Sequence, residues 1–395
     1  MTPDRYGLAL AAFHLGVLAA TAWVAWGWRK PAVCRRSVRP WIFGLGRELG
    51  ILAVFAYATS LAAPFLANLD HPKRLQIGEI SGRLMGQALF GEAIALGLAL
   101  AFWHRRAAAN RRALTFAGGA LALCLVYAQA YRLEPRQLVV SRHVVDQGGA
   151  ESLRILHITD IQTPRIGEHE ERALRTGMAQ RPDLVVLTGD YVQDELGRPT
   201  EAEAARDLRR LLVRVGFRAP LGIFATEGDV GPQCREVFAG TEARCLTDES
   251  AVVTLAGGAT LKITGLSRGR GRERSPAVLA GLLERGPRAD HQIVISHSPD
   301  FVDALPWKLD LALAGHTHGG QFVLPFFGPL VTASRLPRRY AAGLHDFRGV
   351  PLHVSRGVGM ERGFAPPVRF LCPPEVCLLD VRLVRGGAMV AARLE

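Results

Sequence analysis

Within the first 131 residues, three stretches run without an Asp, Glu, Lys or Arg: Tyr6–Trp28 (23 residues), Leu49–Leu69 (21) and Ala113–Tyr131 (19). A helix crosses the hydrocarbon core of a bilayer in about 20 apolar residues, so each stretch is expected to span a membrane. Leu84–Trp103 is a fourth candidate, interrupted by one acid, Glu92. An ionisable group in hydrocarbon costs at least about 2.5 kcal/mol; Glu92 should therefore face another helix or carry a proton. The first run is too long for a cleaved signal peptide, and the residues before it are nearly uncharged. The expected organisation is a four-helix transmembrane anchor over residues 1–131, with spans near 6–28, 49–69, 84–103 and 113–131, followed by a soluble domain over 132–395.

Charge refines this division. Residues 1–131 hold 14 Lys and Arg against 5 Asp and Glu, a net of +9, which leaves 34 against 31, or +3, for residues 132–395 of a chain whose net charge is +12. The soluble part lacks the concentrated basic face that a phosphate backbone requires, so nucleic acid is not an expected partner. Arg29, Lys30, Arg35, Arg36 and Arg39 follow the first span, and Arg105, Arg106, Arg111 and Arg112 follow the third. The positive-inside bias makes both loops cytoplasmic and puts everything after the fourth span outside the cytoplasm, in the periplasm of a Gram-negative cell. That orientation inverts if Leu84–Trp103 does not span. Cysteine usage points the same way: Cys234 with Cys245 and Cys372 with Cys377 are two close pairs, which suits disulfides in an oxidising compartment, with reduced core thiols the alternative for either pair.

From residue 132 the texture is that of an α/β domain. Leu138–Val140 and His143–Val145 alternate with polar residues as an opening strand or hairpin, Leu153–Ile158 is a short apolar run ending in Thr159-Asp160, and Glu168–Gln180 is polar with helix formers. Leu184–Leu187 then leads to Gly189-Asp190, Leu221–Thr226 to Gly228-Asp229, Gln292–Ser296 to His297, and Leu309–Ala314 to Gly315-His316-Thr317-His318. Ligands of such sheets collect outside the carboxyl ends of the strands. Asp160, Asp190, Asp229, His297, His316 and His318 each follow an apolar strand, which points to one shared centre. Carboxylates with neutral imidazoles suit Mn, Fe or Zn, and a shared carboxylate can bridge two such ions.

These residues, with the run Gly315–Gln321, the later Leu324-Pro325-Phe326, Tyr340–Gly343, His353–Gly359, Pro367–Arg369 and Pro374-Glu375, resemble the calcineurin-like metallophosphoesterase superfamily over roughly residues 136–383. Within it they are similar to the membrane-linked branch that includes UDP-2,3-diacylglucosamine pyrophosphatases and lipid-directed phosphoesterases. The resemblance implies two packed mixed β-sheets flanked by helices, and two divalent metal ions. It assigns Asp160, Gln162, Asp190 and His318 to one ion, and Asp190, Asp229, His297 and His316 to the other. The nucleophile it implies is a metal-bound hydroxide.

Three positions depart from the pattern that the resemblance implies. Gln162 stands where a His is expected and ligates without charge; Asp229 stands where an Asn is expected and adds one. Val230 replaces a His that stabilises the transition state or protonates the leaving group, a contribution worth about 10²–10⁴ in rate. No catalytic side chain is therefore assigned beyond the metal ligands. The expected function is a membrane-anchored, metal-dependent phosphoric ester hydrolase, acting on a membrane lipid or lipid-linked phosphate or pyrophosphate. The alternative is a non-catalytic module that binds metal or a phospholipid head group. Arg268–Arg274 is either a phosphate grip or a solvated loop, and Phe326 and Phe327, close to Arg335, Arg338 and Arg339, are placed to meet lipid.

Overall fold

The structure, a computed structural model, describes residues 90–384 apart from 92, 107, 195–198 and 363–364. The expected spans 6–28 and 49–69, the start of 84–103 and Glu92 lie outside the described residues. Residues 93–106 are helical. Helix α1 (Asn110–Ala128) continues through a wide turn, Gln129–Leu133, and a tight one, Glu134–Arg136. As a unit, Asn110–Arg136 has 27 residues and a mean hydropathy of 1.6, and it is the one helix among the described residues long and apolar enough to cross a membrane. Leu114, Leu121 and Leu125 on it are exposed, as a lipid-facing surface would require. The four-helix anchor thus reduces, within the described residues, to this one span. The chain separates into two compact units, the second made of Gln129–Glu361 and Val368 onward.

In that second unit the apolar runs form two six-stranded sheets. The first joins β1 (Val139–Asp146), β2 (Glu151–Ile158), β3 (Leu184–Leu187), β4 (Ile223–Ala225), β5 (Ala243–Cys245) and the distant β14 (Glu375–Leu383) in the order β1-β14-β2-β3-β4-β5. Strands β2 to β5 are parallel, and β14 lies between β1 and β2, antiparallel to β2. The opening segment is therefore a single strand and not a hairpin. The second sheet joins β6 (Glu249–Thr254), β7 (Thr260–Gly265), β8 (His291–Ile295), β9 (Leu311–Ala314), β12 (Gly343–Phe347) and β13 (Val350–Val354) in the order β12-β13-β9-β8-β7-β6. Its inner strands β7, β8, β9 and β13 are parallel, with antiparallel strands at both edges. A short hairpin, β10 (Val323–Leu324) with β11 (Gly328–Pro329), projects from the loop after β9.

Side-chain alternation builds the layers. Ile155, Val186 and Leu379 of the first sheet meet Ile263, Ile293, Ile295, Leu311 and Leu313 of the second in one buried core. The opposite face of the first sheet, with Leu156, Ile158, Val185 and Leu187, packs on α2 (Glu168–Met178) and α3 (Glu201–Arg214). Helix α3 opens with a capping box, Thr200 Oγ1 accepting from Glu203 N at 3.3 Å while Glu203 Oε2 accepts from Thr200 N at 2.8 Å. The outer face of the second sheet, with Val294, Ala312 and Ala314, packs on residues of the 276–283 helix and on Phe301. Parallel strands from both sheets thus bring their carboxyl ends to one rim.

One of the two expected disulfides forms. Cys234 and Cys245, with Cα atoms 5.9 Å apart, are bonded. Cys372 and Cys377 are not bonded to each other. Cys377 lies on β14 with its sulfur 3.1 Å from His353 Nε2, whereas the Cys372 thiol donates to His318 O at 3.2 Å. Each sulfur is committed to a different neighbour.

Candidate metal centre

Each expected ligand falls within four residues of the carboxyl end of a strand: Asp160 and Gln162 after β2, Asp190 after β3, Asp229 after β4, His297 after β8, His316 and His318 after β9. Five of them, Asp160, Gln162, Asp190, His316 and His318, hold left-handed backbone with φ between +37° and +69°. Such conformations cost about 1–3 kcal/mol each and persist where surrounding structure imposes them. Close approach adds a second constraint. A Cβ on Gly315 would overlap the Asp160 carboxylate, and one on Gly228 that of Asp190.

The carboxylates are aimed by hydrogen bonds. Asp160 Oδ2 accepts from Thr159 Oγ1 at 2.7 Å and His316 N at 3.0 Å, while its buried Oδ1 takes no hydrogen bond and lies 3.5 Å from His318 Nε2. Asp190 Oδ1 accepts from the backbone N–H groups of Asp229 and Val230 at 2.6 and 3.0 Å, which turns Oδ2 toward His297 Nε2, 3.2 Å away. His297 Nδ1 donates to Thr188 O at 2.8 Å. Its Nε2 therefore faces Asp190 Oδ2 at 3.2 Å and Asp229 Oδ2 at 3.8 Å. His316 Nδ1 lies 3.2 Å from the same Asp229 oxygen.

The ligand atoms of Asp160, Asp190 and His297 converge within 4.8 Å of one another. Burial alone would lower the His297 pKa; the carboxylates of Asp190, Asp160 and Asp229 outweigh it and raise it to about 10. Complete burial pushes the Asp160 carboxyl above its ordinary range, against the pull of His297 and with the push of Asp190. A buried pocket of carboxylate and imidazole groups of this kind fits a divalent metal ion. Gln162 is held beside this group by its backbone N–H, which donates to Asp190 O at 2.8 Å, and its side-chain amide nitrogen donates to Glu361 Oε2 at 2.9 Å.

The Asp229 end differs. Its Oδ1 receives Arg272 Nη1 at 3.0 Å and Arg268 Nε at 3.1 Å, and its Oδ2 receives Arg272 Nη2. Arg272 Nη2 also lies 3.1 Å from His316 Nε2. Burial works against ionisation of Asp229, but His297 and Arg272 hold its pKa below the usual range. Asp229, His297 and His316 form a second group with metal-ligand spacing, yet an arginine fork already stands on Asp229. Six of the seven expected residues bring their side chains together, and Gln162 adjoins them through its backbone bond to Asp190 O; Arg272 as a member, and Thr188 and Glu361 as supports, were not expected. The clustered arginines of 268–274 were the one signal for Arg272, and its distance of 43 residues from Asp229 along the chain hid the pairing.

Comparison with known proteins makes this a metal-dependent phosphoric ester hydrolase: residues 153–320 match the model of the calcineurin-like phosphoesterase family. That segment is a calcineurin-like metallophosphoesterase domain, a class that binds divalent metals. The chain is 29% identical over 286 residues to the phosphodiesterase YaeI of Escherichia coli K12, covering 69% of this chain and 98% of that one. It is 26% identical over 274 residues to the metallophosphoesterase YkuE of Bacillus subtilis 168, covering 67% and 93%. A shorter match, 36% over 95 residues, covers 22% of this chain and 28% of the UDP-2,3-diacylglucosamine pyrophosphatase LpxG of Chlamydia trachomatis.

Proposed function

We propose that this chain is a membrane-anchored phosphoesterase or pyrophosphatase that acts on a lipid-linked phosphate. The observation that carries the lipid part is the β10–β11 hairpin. Phe326 at its tip is fully exposed and Phe327 and Val331 largely so, with the Arg338 guanidinium 4.7 Å above the Phe327 ring. The segment is tied to the centre, since His316 Nε2 lies 3.0 Å from Ala333 O just beyond it. Exposed aromatic and aliphatic side chains flanked by arginines suit a bilayer interface. The apolar helix Asn110–Arg136 supports an anchor, and the uncharged runs 6–28 and 49–69, with 84–103 and its single acid Glu92, support further spans. The Cys234–Cys245 disulfide supports an extracytoplasmic, periplasmic domain.

Asp160, Gln162, Asp190, His297 and His318 would hold a divalent ion, with Asp229 and His316 completing the centre. Such an ion supplies an activated water and neutralises charge on the phosphoryl oxygens. Asp190 is held in position by the Asp229 and Val230 amides, and His297 by Thr188 O. Val230 has no proton to give, so a leaving group that departs as a weakly basic anion, such as the monophosphate released from a pyrophosphate, is favoured.

The test uses the full chain in detergent micelles with Mn²⁺, comparing a soluble chromogenic phosphodiester with a lipid pyrophosphate in mixed micelles. Faster hydrolysis of the lipid, lost with chelator and reduced by Phe326→Ser with Phe327→Ser while the soluble ester is unaffected, is expected. Equal rates on both substrates, unchanged by the hairpin substitutions, would remove the lipid assignment. Metal binding without hydrolysis of either would favour the head-group-binding module.

A further inference from the structure

The two ends of the centre are not equivalent. Asp160 Oδ1 is buried and carries no hydrogen bond, and His297 Nε2 faces only the Asp190 and Asp229 carboxylates, whereas both oxygens of Asp229 are taken by guanidinium groups of Arg268 and Arg272. We propose that Arg272 is a resident cation of this centre: its guanidinium takes both Asp229 oxygens that a second divalent ion would use and stands against the His316 ring at Nε2. The chain then holds one divalent ion, on the Asp160, Asp190, His297 and His318 side, and meets the substrate phosphate with an arginine on the other. This rests on the metal-dependent hydrolase reading above.

The loop that delivers Arg272 is built. Asp248 caps its start, accepting from Ser267 N and Ser267 Oγ at 2.8 Å each. Gly271 N donates to Ser267 O at 2.9 Å, closing the turn, and a Cβ on Gly271 would come within 2.6 Å of Ser296 Oγ, next to His297. Glu273 fastens the exit, accepting from Arg274 N at 2.9 Å and Ser275 N at 3.0 Å. Arg335 Nη2 holds Arg272 O at 3.2 Å. The guanidinium is thus delivered to Asp229 from a turn fixed on three sides.

Electrostatics then decides between the two cations. A divalent ion on Asp229 and His316 would sit beside a permanently charged guanidinium at a few ångströms, with both acceptor oxygens of Asp229 already used. Arginine cannot discharge to make room. The same planar fork that matches a carboxylate also matches a phosphate, so Arg272 can exchange Asp229 for substrate oxygens. It supplies positive charge at the end of the centre where Val230 offers none.

The experiment is a Mn²⁺ titration of the full chain in detergent, freed of metal by chelator, read by calorimetry and by electron paramagnetic resonance. The wild type should bind one equivalent tightly and keep an uncoupled, mononuclear spectrum in excess Mn²⁺. Arg272→Gln should take a second equivalent at least about tenfold more tightly than the wild type does and show an exchange-coupled spectrum. Arg274→Gln, an exposed neighbour, should behave as wild type. A coupled two-ion spectrum in the wild type overturns the proposal without any variant, and a single equivalent in Arg272→Gln overturns it as well. No Mn²⁺ bound to either protein would instead sink the metal-dependent reading on which it rests, and this inference with it.

Discussion

Val230 donates its backbone N–H to Asp190 Oδ1 at 3.0 Å, so this position keeps its main-chain part in the centre while its side chain has nothing to protonate. Val230→His would leave that bond intact and add an imidazole beside the phosphoryl site. General acid help is worth about 10²–10⁴, and it matters most for poor leaving groups. The variant should raise kcat/KM on alkyl-type esters by about a hundredfold and leave esters of good leaving groups little changed. A series of esters with graded leaving-group basicity reads this directly: the dependence on leaving group should flatten in the variant. An unchanged dependence would place proton delivery elsewhere.

Asp190 joins the two ends of the centre, facing His297 at 3.2 Å on one oxygen and two backbone amides on the other. Asp190→Asn keeps an acceptor for the amides and removes the charge. Loss of a mere supporting group costs about 10–100-fold in metal affinity, and loss of this carboxylate should cost more. Calorimetric Mn²⁺ titration should show at least a hundredfold weaker tight site, with thermal unfolding of the metal-free chain still cooperative.

The strand ends were legible because alternation, strand length and the terminal Asp or His can all be read locally. Leu184–Leu187 is a strand with the expected bounds, and Glu168–Gln180 is a helix ending two residues early. What could not be read was pairing across the chain. Nothing local places β14 between β1 and β2, or sets Arg272 on Asp229. The expected Cys372–Cys377 bond failed for a similar reason: proximity in sequence says nothing of which way each sulfur faces, and β14 points Cys377 at His353. The left-handed backbone at Gln162, His316 and His318 was equally hidden, since these residue types do not announce it.

The Cys234–Cys245 bond closes a short loop between the 234–237 helix turn and β5. Chain-entropy reasoning for a loop of this size gives about 3 kcal/mol. Reduction, or Cys234→Ser with Cys245→Ser, should lower unfolding stability by about that amount, read from denaturant midpoints with and without reductant. Peptide mapping after alkylation without reduction should recover Cys234 linked to Cys245, with Cys372 and Cys377 alkylated. A Cys372–Cys377 crosslink would contradict the sulfur partners described here.

Beneath the centre, His157 Nε2 meets Thr188 Oγ1 at 2.8 Å, its Nδ1 meets His353 Nδ1 at 2.9 Å, and His353 Nε2 meets Cys377 Sγ at 3.1 Å. This chain crosses between the two sheets with both rings buried. Burial lowers the His157 pKa to about 3 and that of His353 well below its ordinary 6.5. A group whose folded pKa is depressed contributes stability that is full above its unfolded value. That contribution is lost as pH falls, because the unfolded chain takes up the proton first. Both rings resist protonation in the folded chain, so stability should fall on their account as pH drops below 6.5. Asp160, raised by burial, acts in the opposite direction. It is common to wild type and to His353→Gln, so the difference between their pH slopes isolates the histidine. Urea unfolding at pH 7 and pH 5 should show the variant losing less stability than the wild type; equal slopes would mean that His353 does not resist protonation in the folded chain.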